Sequence, residues 1–270
     1  MISSTELLEF TKSISIRAGE ILNANFGKIH YTKDKSSAID LCTNADIESE
    51  KFITESILKE FPNHSIIAEE GYEKQTDSDY RWVIDPLDGT TNYVHNLPIF
   101  SVSIGLQYKA ETILGVVYNP AVDKLFHAIK NEGAFMNDDK ISVSSSNTLS
   151  DCVLATGFPY IHDKYYDASF SIFKDFYDKT QGLRRFGVAS LDLCFVAMGR
   201  FDGFYEFNLK PWDICAGSII VKEAGGLCTD WNNEPVPFSG SRILCSNTNI
   251  HRQMIDILNQ KEYNLFYDLK

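Results

Sequence analysis

Two aspartates stand three residues apart in Trp82-Val-Ile-Asp85-Pro86-Leu87-Asp88-Gly89-Thr90-Thr91-Asn92, directly after a hydrophobic run. A strand ending at Asp85 and broken by Pro86, which has no ladder donor, sets both carboxylates on one turn. Gly89 admits a backbone angle closed to most residues. Oxygen ligands in this arrangement suit a hard divalent cation. An Asp-rich turn whose side chains only cap backbone groups has the same pattern. Three other segments offer carboxylates. Glu69-Glu70 stands at another strand end, just before Gly71. Asp213, after Trp212, opens a helix, where the dipole favours an anion. Asp46 lies in the first turn of a helix in Asp40-Leu-Cys-Thr43-Asn-Ala-Asp46. Ordinary helix capping accounts for Asp46 and Asp213 equally well. Convergence of all these groups depends on the fold.

The elements that must position them follow from periodicity. Leu7, Phe10, Ile14, Ala18, Ile21 and Leu22 mark one face of a helix from about Thr5 to Asn25. Ser3 and Glu6 form a capping box at its start, and Gly27 suits its end. A second helix runs from about Asn44 to Glu60, with Thr43 and Asp46 in a capping arrangement and Pro62 beyond it. Ser65–Glu69 and Arg81–Asp85 read as short strands. Phe100, Val102, Ile104 and Leu106 alternate with small or polar residues, which predicts a strand covered on one face. Thr112–Tyr118, Lys124–Ile129 and Gly133–Met136 continue an antiparallel sheet.

The second half alternates. Strands are predicted at Cys152–Thr156, Leu183–Phe186, Gly203–Phe207, Leu227–Asp230 and Ile243–Ser246. Helices are predicted at Tyr165–Asp178, Ala189–Met198, Asp213–Ala224 and Asn249–Asn259. This rhythm gives a mixed sheet with helices on its faces. The chain divides into residues 1–146, carrying most of the candidate ligands, and 147–270, carrying Asp213, with one shared interface.

The chain has 270 residues, 44% of them hydrophobic, which is ample for a core. Its 37 acidic against 25 basic residues give a net charge of −12. That balance argues against direct nucleic-acid binding, which needs a clustered positive field. Small anions remain open, because a metal reverses the local sign. The six cysteines form no C-x-x-C pair and read as buried thiols. No basic, apolar leader opens the sequence, and no uncharged stretch is apolar enough to span a bilayer. The expectation is a cytoplasmic protein without a membrane partner.

The segment Trp82–Leu106 (WVIDPLDGTTNYVHNLPIFSVSIGL) resembles the first signature of the inositol monophosphatase family, and Trp212–Gly226 (WDICAGSIIVKEAGG) its second. Ile66–Gly71 (IIAEEG) and Asp40–Asp46 (DLCTNAD) resemble its other two blocks. The resemblance covers nearly the whole chain. It implies an α/β (α+β) fold, the layered αβαβα sandwich of the inositol monophosphatase and fructose-1,6-bisphosphatase type, usually a homodimer. It implies hydrolysis of a phosphate monoester with two to three Mg²⁺ ions, inhibited by lithium.

Residue by residue, the resemblance implies that Glu69 holds the first metal and shares a weaker third one. Asp85 bridges the first two metals, the Leu87 carbonyl is a further ligand, and Asp88 and Asp213 complete the second site. Thr90 and Asp46 match the pair that orients and deprotonates the attacking water, and Glu70 a carboxylate near the third metal. The absence of His and Cys from these ligand positions argues against zinc. Two metals about 3.5–4 Å apart stabilise both the entering and leaving oxygens of an in-line displacement. The amides of Gly89, Thr90 and Thr91 cradle the phosphate if a helix starts there. Gly187, Val188 and Ala189 match backbone that approaches a substrate hydroxyl, and Glu206 a carboxylate that accepts from polyol hydroxyls. Thr156-Gly157-Phe158 matches another pocket wall.

Arg184-Arg185 is either a substrate contact or a subunit-interface pair. Lys35 matches a mobile loop near the metals or is an exposed charge. His95 reads as a loop residue, and Trp82 and Trp212 as packing behind the ligands. The substrate expected is myo-inositol monophosphate or a similar sugar or polyol phosphate. Fructose 1,6-bisphosphate and histidinol phosphate fit the same scaffold. Thr91-Asn92, in place of a charged pair, disfavours a nucleotide 3′-phosphate. Some bacterial members that resemble the chain around Arg184–Arg200 have roles beyond hydrolysis, so a regulatory, protein-binding role is a second expectation.

Overall fold

The computed structural model describes residues 3–28, 32–34, 41–158 and 163–268. Lys35, and Asp40 of the DLCTNAD block, lie outside them. Helix α1 (Ser4–Asn25) starts at the expected capping box, with both the Ser3 and Glu6 hydrogen bonds present. Strands β1 (Thr32–Asp34) and β2 (Leu41–Thr43) pair antiparallel and feed α2 (Asn44–Glu60). The second capping box, Thr43 with Asp46, is also present. These three-residue strands are too short to leave a periodic signal.

The first large sheet contains β3 (Ser65–Ala68), β4 (Glu73–Lys74), β5 (Tyr80–Asp88), β6 (Ser101–Tyr108), β7 (Glu111–Asn119), β8 (Lys124–Ile129), β9 (Gly133–Met136) and β10 (Asp139–Lys140). Its order is β10-β9-β8-β7-β6-β5-β3-β4. One pair, β3 with β5, is parallel, so the sheet is not wholly antiparallel as the sequence suggests. Helix α3 (Thr90–Val94) is a single short turn after β5.

Two expectations need correction. Strand β5 does not stop at Asp85 but continues through Pro86 to Asp88. Asp85 pairs with Ser103 and Asp88 with Ser101, so β5 carries one residue more than β6 across this step. Pro86 sits inside that bulge, where a missing N–H breaks no ladder bond. Strand β6 is covered on both faces, with every residue from Ser101 to Gln107 buried. Its small residues read as a polar face in sequence, yet they admit a helix packed close against the sheet.

The second sheet holds β11 (Val153–Thr156), β12 (Gly182–Arg184), β13 (Gly203–Phe207), β14 (Leu227–Thr229) and β15 (Arg242–Ser246), in the order β12-β11-β13-β15-β14. It is mixed as expected: β11 is parallel to β12 and β13, while β15 is antiparallel to β13 and β14. Strand β12 ends before Arg185-Phe186, earlier than predicted. The helices are α4 (Tyr166–Tyr177), α5 (Ala189–Ala197), α6 (Pro211–Glu223) and α7 (His251–Leu258). A 3₁₀ segment at Lys261–Asp268 follows.

The layers run α1/α2, first sheet, α5/α6, second sheet, α4/α7, the αβαβα sandwich. Gly115 lets α6 seat on the first sheet: a Cβ there would lie 2.6 Å from the Ala216 carbonyl oxygen and 2.6 Å from Ile219 Cγ2. All six cysteines are buried, and none is in a disulfide. Among the described residues no helix is long and apolar enough to cross a membrane.

Candidate active site

The bulge in β5 aims the first carboxylates. Asp85 is buried, and its Oδ1 accepts from the Leu87 amide at 3.0 Å, which tightens the turn. Asp88 is buried; its Oδ2 accepts from the Ser190 amide at 2.8 Å and the Ser190 hydroxyl at 2.6 Å. Strand β3 runs parallel beside β5 and delivers Glu69 one residue past its end, where the Glu69 amide donates to the Ile84 carbonyl at 3.2 Å. Asp213 is the third residue of α6, and its Oδ2 accepts from the Lys210 amide at 2.6 Å. Gly89 has φ +93°, and a Cβ there would meet Val188 Cγ2 at 2.6 Å. Its left-handed backbone therefore both turns the chain into α3 and admits the second-sheet half of the wall.

The Thr90 hydroxyl lies 3.0 Å from Asp46 Oδ1 and 3.2 Å from the Leu87 carbonyl. Asp46 is fully buried, and its Oδ2 accepts from the Thr43 amide at 2.9 Å. The capping bond that fixes the start of α2 thus also fixes the carboxylate facing Thr90.

These groups converge on one cavity of about 390 Å³. Glu69, Asp85, Leu87, Asp88, Gly89, Thr90, Thr91, Gly187, Val188, Ala189, Glu206 and Asp213 all line it. Three predicted residues do not: Asp46, Glu70 and Thr156, although its neighbours Gly157 and Phe158 do. Asp46 lies beneath the wall and reaches the cavity through Thr90. Glu70 also lies off the wall; its carboxylate groups with Asp46 and the Cys42 thiol, with ligand atoms within 4.8 Å of one another. Gly157 permits the close approach of Glu206, whose carboxylate occupies the space a Cβ would need.

The charges are crowded. Burial pushes the Asp85 carboxyl well above the usual range, and Glu69, Asp88 and Asp213 push it further. Burial and the Glu69 and Asp88 charges do the same to Asp213. Burial raises Asp88 to about 6, opposed by its Ser190 bonds. Burial raises Glu206 to about 8, with Arg185 opposing and Asp88 adding. Clustered carboxylates of this kind are stable as anions only with a cation among them. The donors are all oxygen, four carboxylates and a nearby carbonyl, which fits Mg²⁺ and not a soft metal.

Sequence reasoning missed two participants and misplaced a third. Ser190 fixes Asp88 and also hydrogen-bonds the Ser101 hydroxyl at 2.8 Å. Asp192 is buried, its Oδ1 has no hydrogen-bond partner among the described residues, and burial with the Glu206 and Asp88 charges holds its carboxyl well up. Its only signal was a charge inside the apolar run Leu191-Asp192-Leu193. Trp212 lines the cavity and does not pack behind the ligands. Trp82, by contrast, is fully buried, its indole N–H donating to His64 Nδ1 at 3.1 Å. Arg185 lines the cavity, while Arg184 Nη1 donates to the Leu183 carbonyl at 3.0 Å. His95 is exposed at the end of α3.

Comparison with known proteins identifies the family and the fold. The sequence model described as the inositol monophosphatase family matches residues 3–263. The chain is 41% identical over 244 residues, 90% of its length and 94% of the relative's, to the "Putative Nus factor SuhB" of Neisseria meningitidis serogroup B. It is 40% identical over 251 residues, 93% of its length and 94% of the relative's, to the "Fructose-1,6-bisphosphatase/inositol-1-monophosphatase" of Aquifex aeolicus. The solved structure of an IMPase from Thermotoga maritima superposes with a TM-score of 0.89 at 34% identity, covering 97% of this chain and 99% of that one.

Proposed function

Because the chain belongs to the inositol monophosphatase family, we propose that it is a Mg²⁺-dependent hydrolase of myo-inositol monophosphate or a similar sugar or polyol phosphate. One observation carries the reading. Glu69, Asp85, Asp88 and Asp213, from three separate segments, line one cavity beside a Thr90–Asp46 hydrogen bond.

Glu69, Asp85, the Leu87 carbonyl, Asp88 and Asp213 would hold the metal, taken as two to three ions. When bound, Mg²⁺ supplies positive charge that acidifies a water and stabilises the entering and leaving oxygens. The chain's own groups do the rest. Thr90 commits its proton to Asp46 Oδ1, which leaves its oxygen lone pairs to accept a proton from the attacking water. Asp46 is the final acceptor, held in place by Thr43. Ser190 holds Asp88 in place through two bonds to Oδ2. Gly89, Thr90 and Thr91 form the phosphate end; Gly187, Val188, Ala189 and Glu206 form the polyol end, with Arg185 offsetting part of the Glu206 charge. Glu70, grouped with Asp46 and Cys42, is the carboxylate that would stand near a third metal.

A phosphate-release screen with Mg²⁺ over inositol, fructose, glycerol, histidinol and nucleotide phosphates tests this reading. Turnover of inositol phosphate above the others supports it, and turnover of none contradicts it. The reading also places the protein in the cytoplasm as a lithium-sensitive homodimer that meets no nucleic acid directly.

The relative named a putative Nus factor favours a second reading, an added protein-binding role. A stable macromolecular partner recovered equally by the parent and by Asp88→Asn supports that role.

A further inference from the structure

Helix α2 carries Asp46 in its first turn, and one turn further on two of its buried side chains reach the other ligand-bearing segments. Glu50 is 8% exposed; its Oε2 accepts from the Glu70 amide at 2.7 Å and its Oε1 from the Tyr72 amide at 3.2 Å. These two amides flank Gly71, whose φ of +106° turns the chain between β3 and β4. Ser49 is fully buried, and its hydroxyl donates to the Pro86 carbonyl at 3.0 Å, inside the β5 bulge. Neither side chain lines the cavity.

Asp46, Ser49 and Glu50 stand at i, i+3 and i+4, so they are neighbours on the helix surface. Asp46 meets Thr90, Ser49 meets the bulge between Asp85 and Asp88, and Glu50 meets the turn that follows Glu69. One rigid element thus touches all three segments. Its core packing rests on other residues, Ile53 and Ile57, both fully buried in the apolar cluster. The Glu50 contact also needs a carboxylate. Its two oxygens accept from two different amides, whereas a glutamine would offer one acceptor oxygen and turn its NH₂ toward the other amide.

We propose that Ser49 and Glu50 are positioning residues of the metal site: through them α2 fixes the Glu69–Glu70 turn against the Asp85–Asp88 bulge, in register with Asp46. This role rests on the metal-dependent reading proposed above and extends it to two residues outside the cavity.

The test is calorimetric titration of Mg²⁺ into the metal-free full chain, with amide hydrogen exchange and the thermal transition read on the same metal-free samples. Glu50→Gln is expected to weaken Mg²⁺ at least about tenfold and to speed exchange at the Glu70 and Tyr72 amides. Its phosphate release recovers as Mg²⁺ is raised. Ser49→Ala, which changes no charge, is expected to weaken Mg²⁺ about threefold or more, and it decides the matter if Glu50→Gln does not fold. Ile57→Val lowers the thermal transition and leaves Mg²⁺ affinity unchanged. If the native chain binds no Mg²⁺, the hydrolytic reading fails and this role with it. If the native chain binds Mg²⁺ and both variants bind it as tightly, or if Ile57→Val loses as much affinity as they do, the positioning role alone is overturned.

Discussion

At the residue scale the account turns on buried carboxylates that only a cation reconciles. Asp88→Asn keeps the Ser190 contacts nearly isosteric but removes a charge, so phosphate release is expected to fall on the order of 10³-fold or more, about 4 kcal/mol, with the thermal transition retained. Thr90→Ala cuts the path to Asp46 and is expected to cost on the order of 10²-fold in kcat, while Thr90→Ser restores most of it. The pH dependence has a defined sign. Asp88 rises from 3.8 to about 6 and Glu206 from 4.5 to about 8. A carboxyl raised by folding contributes stability below its unfolded pKa and loses it as pH climbs through the folded value. The metal-free protein therefore loses stability from these two groups between about pH 4 and 8. Under the proposed function Mg²⁺ binds the ionised site, so the rise in Tm on adding Mg²⁺ is expected to grow over the same interval, as read by scanning calorimetry. The sequence showed Asp85, Asp88, Glu69 and Asp213 because they sit in recognisable blocks. It hid Ser190 and Asp192, whose roles come from helix α5 lying across the end of β5, a contact of residues about a hundred positions apart.

At the element scale, two glycines set where the ligands point. Gly115→Ala would drive a Cβ into the Ala216 carbonyl, which is backbone and cannot step aside. We expect a loss of about 1–3 kcal/mol in urea unfolding and weaker Mg²⁺ binding, because the displaced helix carries Asp213. Gly89→Ala is expected to lose a similar amount from its φ of +93° and the Val188 contact. Helices α1 and α2 were legible to within a residue because capping boxes mark their starts. The course of β5 was not. Proline in sequence argues for a stop, and only the pairing of Asp85 with Ser103 and Asp88 with Ser101 reveals a bulge that absorbs it. The two-sided burial of β6 was hidden for a related reason: small residues that admit α6 look the same as a solvent face.

At the scale of the whole molecule, the five layers bring segments from residue 69 to residue 213 onto one cavity, with Asp46 behind Thr90. The alternation of the second half made the mixed sheet legible, but not that α6 would lie on the first sheet and carry its aspartate there. The net charge of −12 includes the clustered carboxylates of this cavity. The most direct measurement of the central claim is phosphate release from inositol 1-phosphate by the native chain and by Asp88→Asn, each with and without Mg²⁺. The account expects turnover only in the native chain with Mg²⁺, falling to background when the metal is chelated. Equal turnover by Asp88→Asn, or turnover indifferent to Mg²⁺, would contradict it.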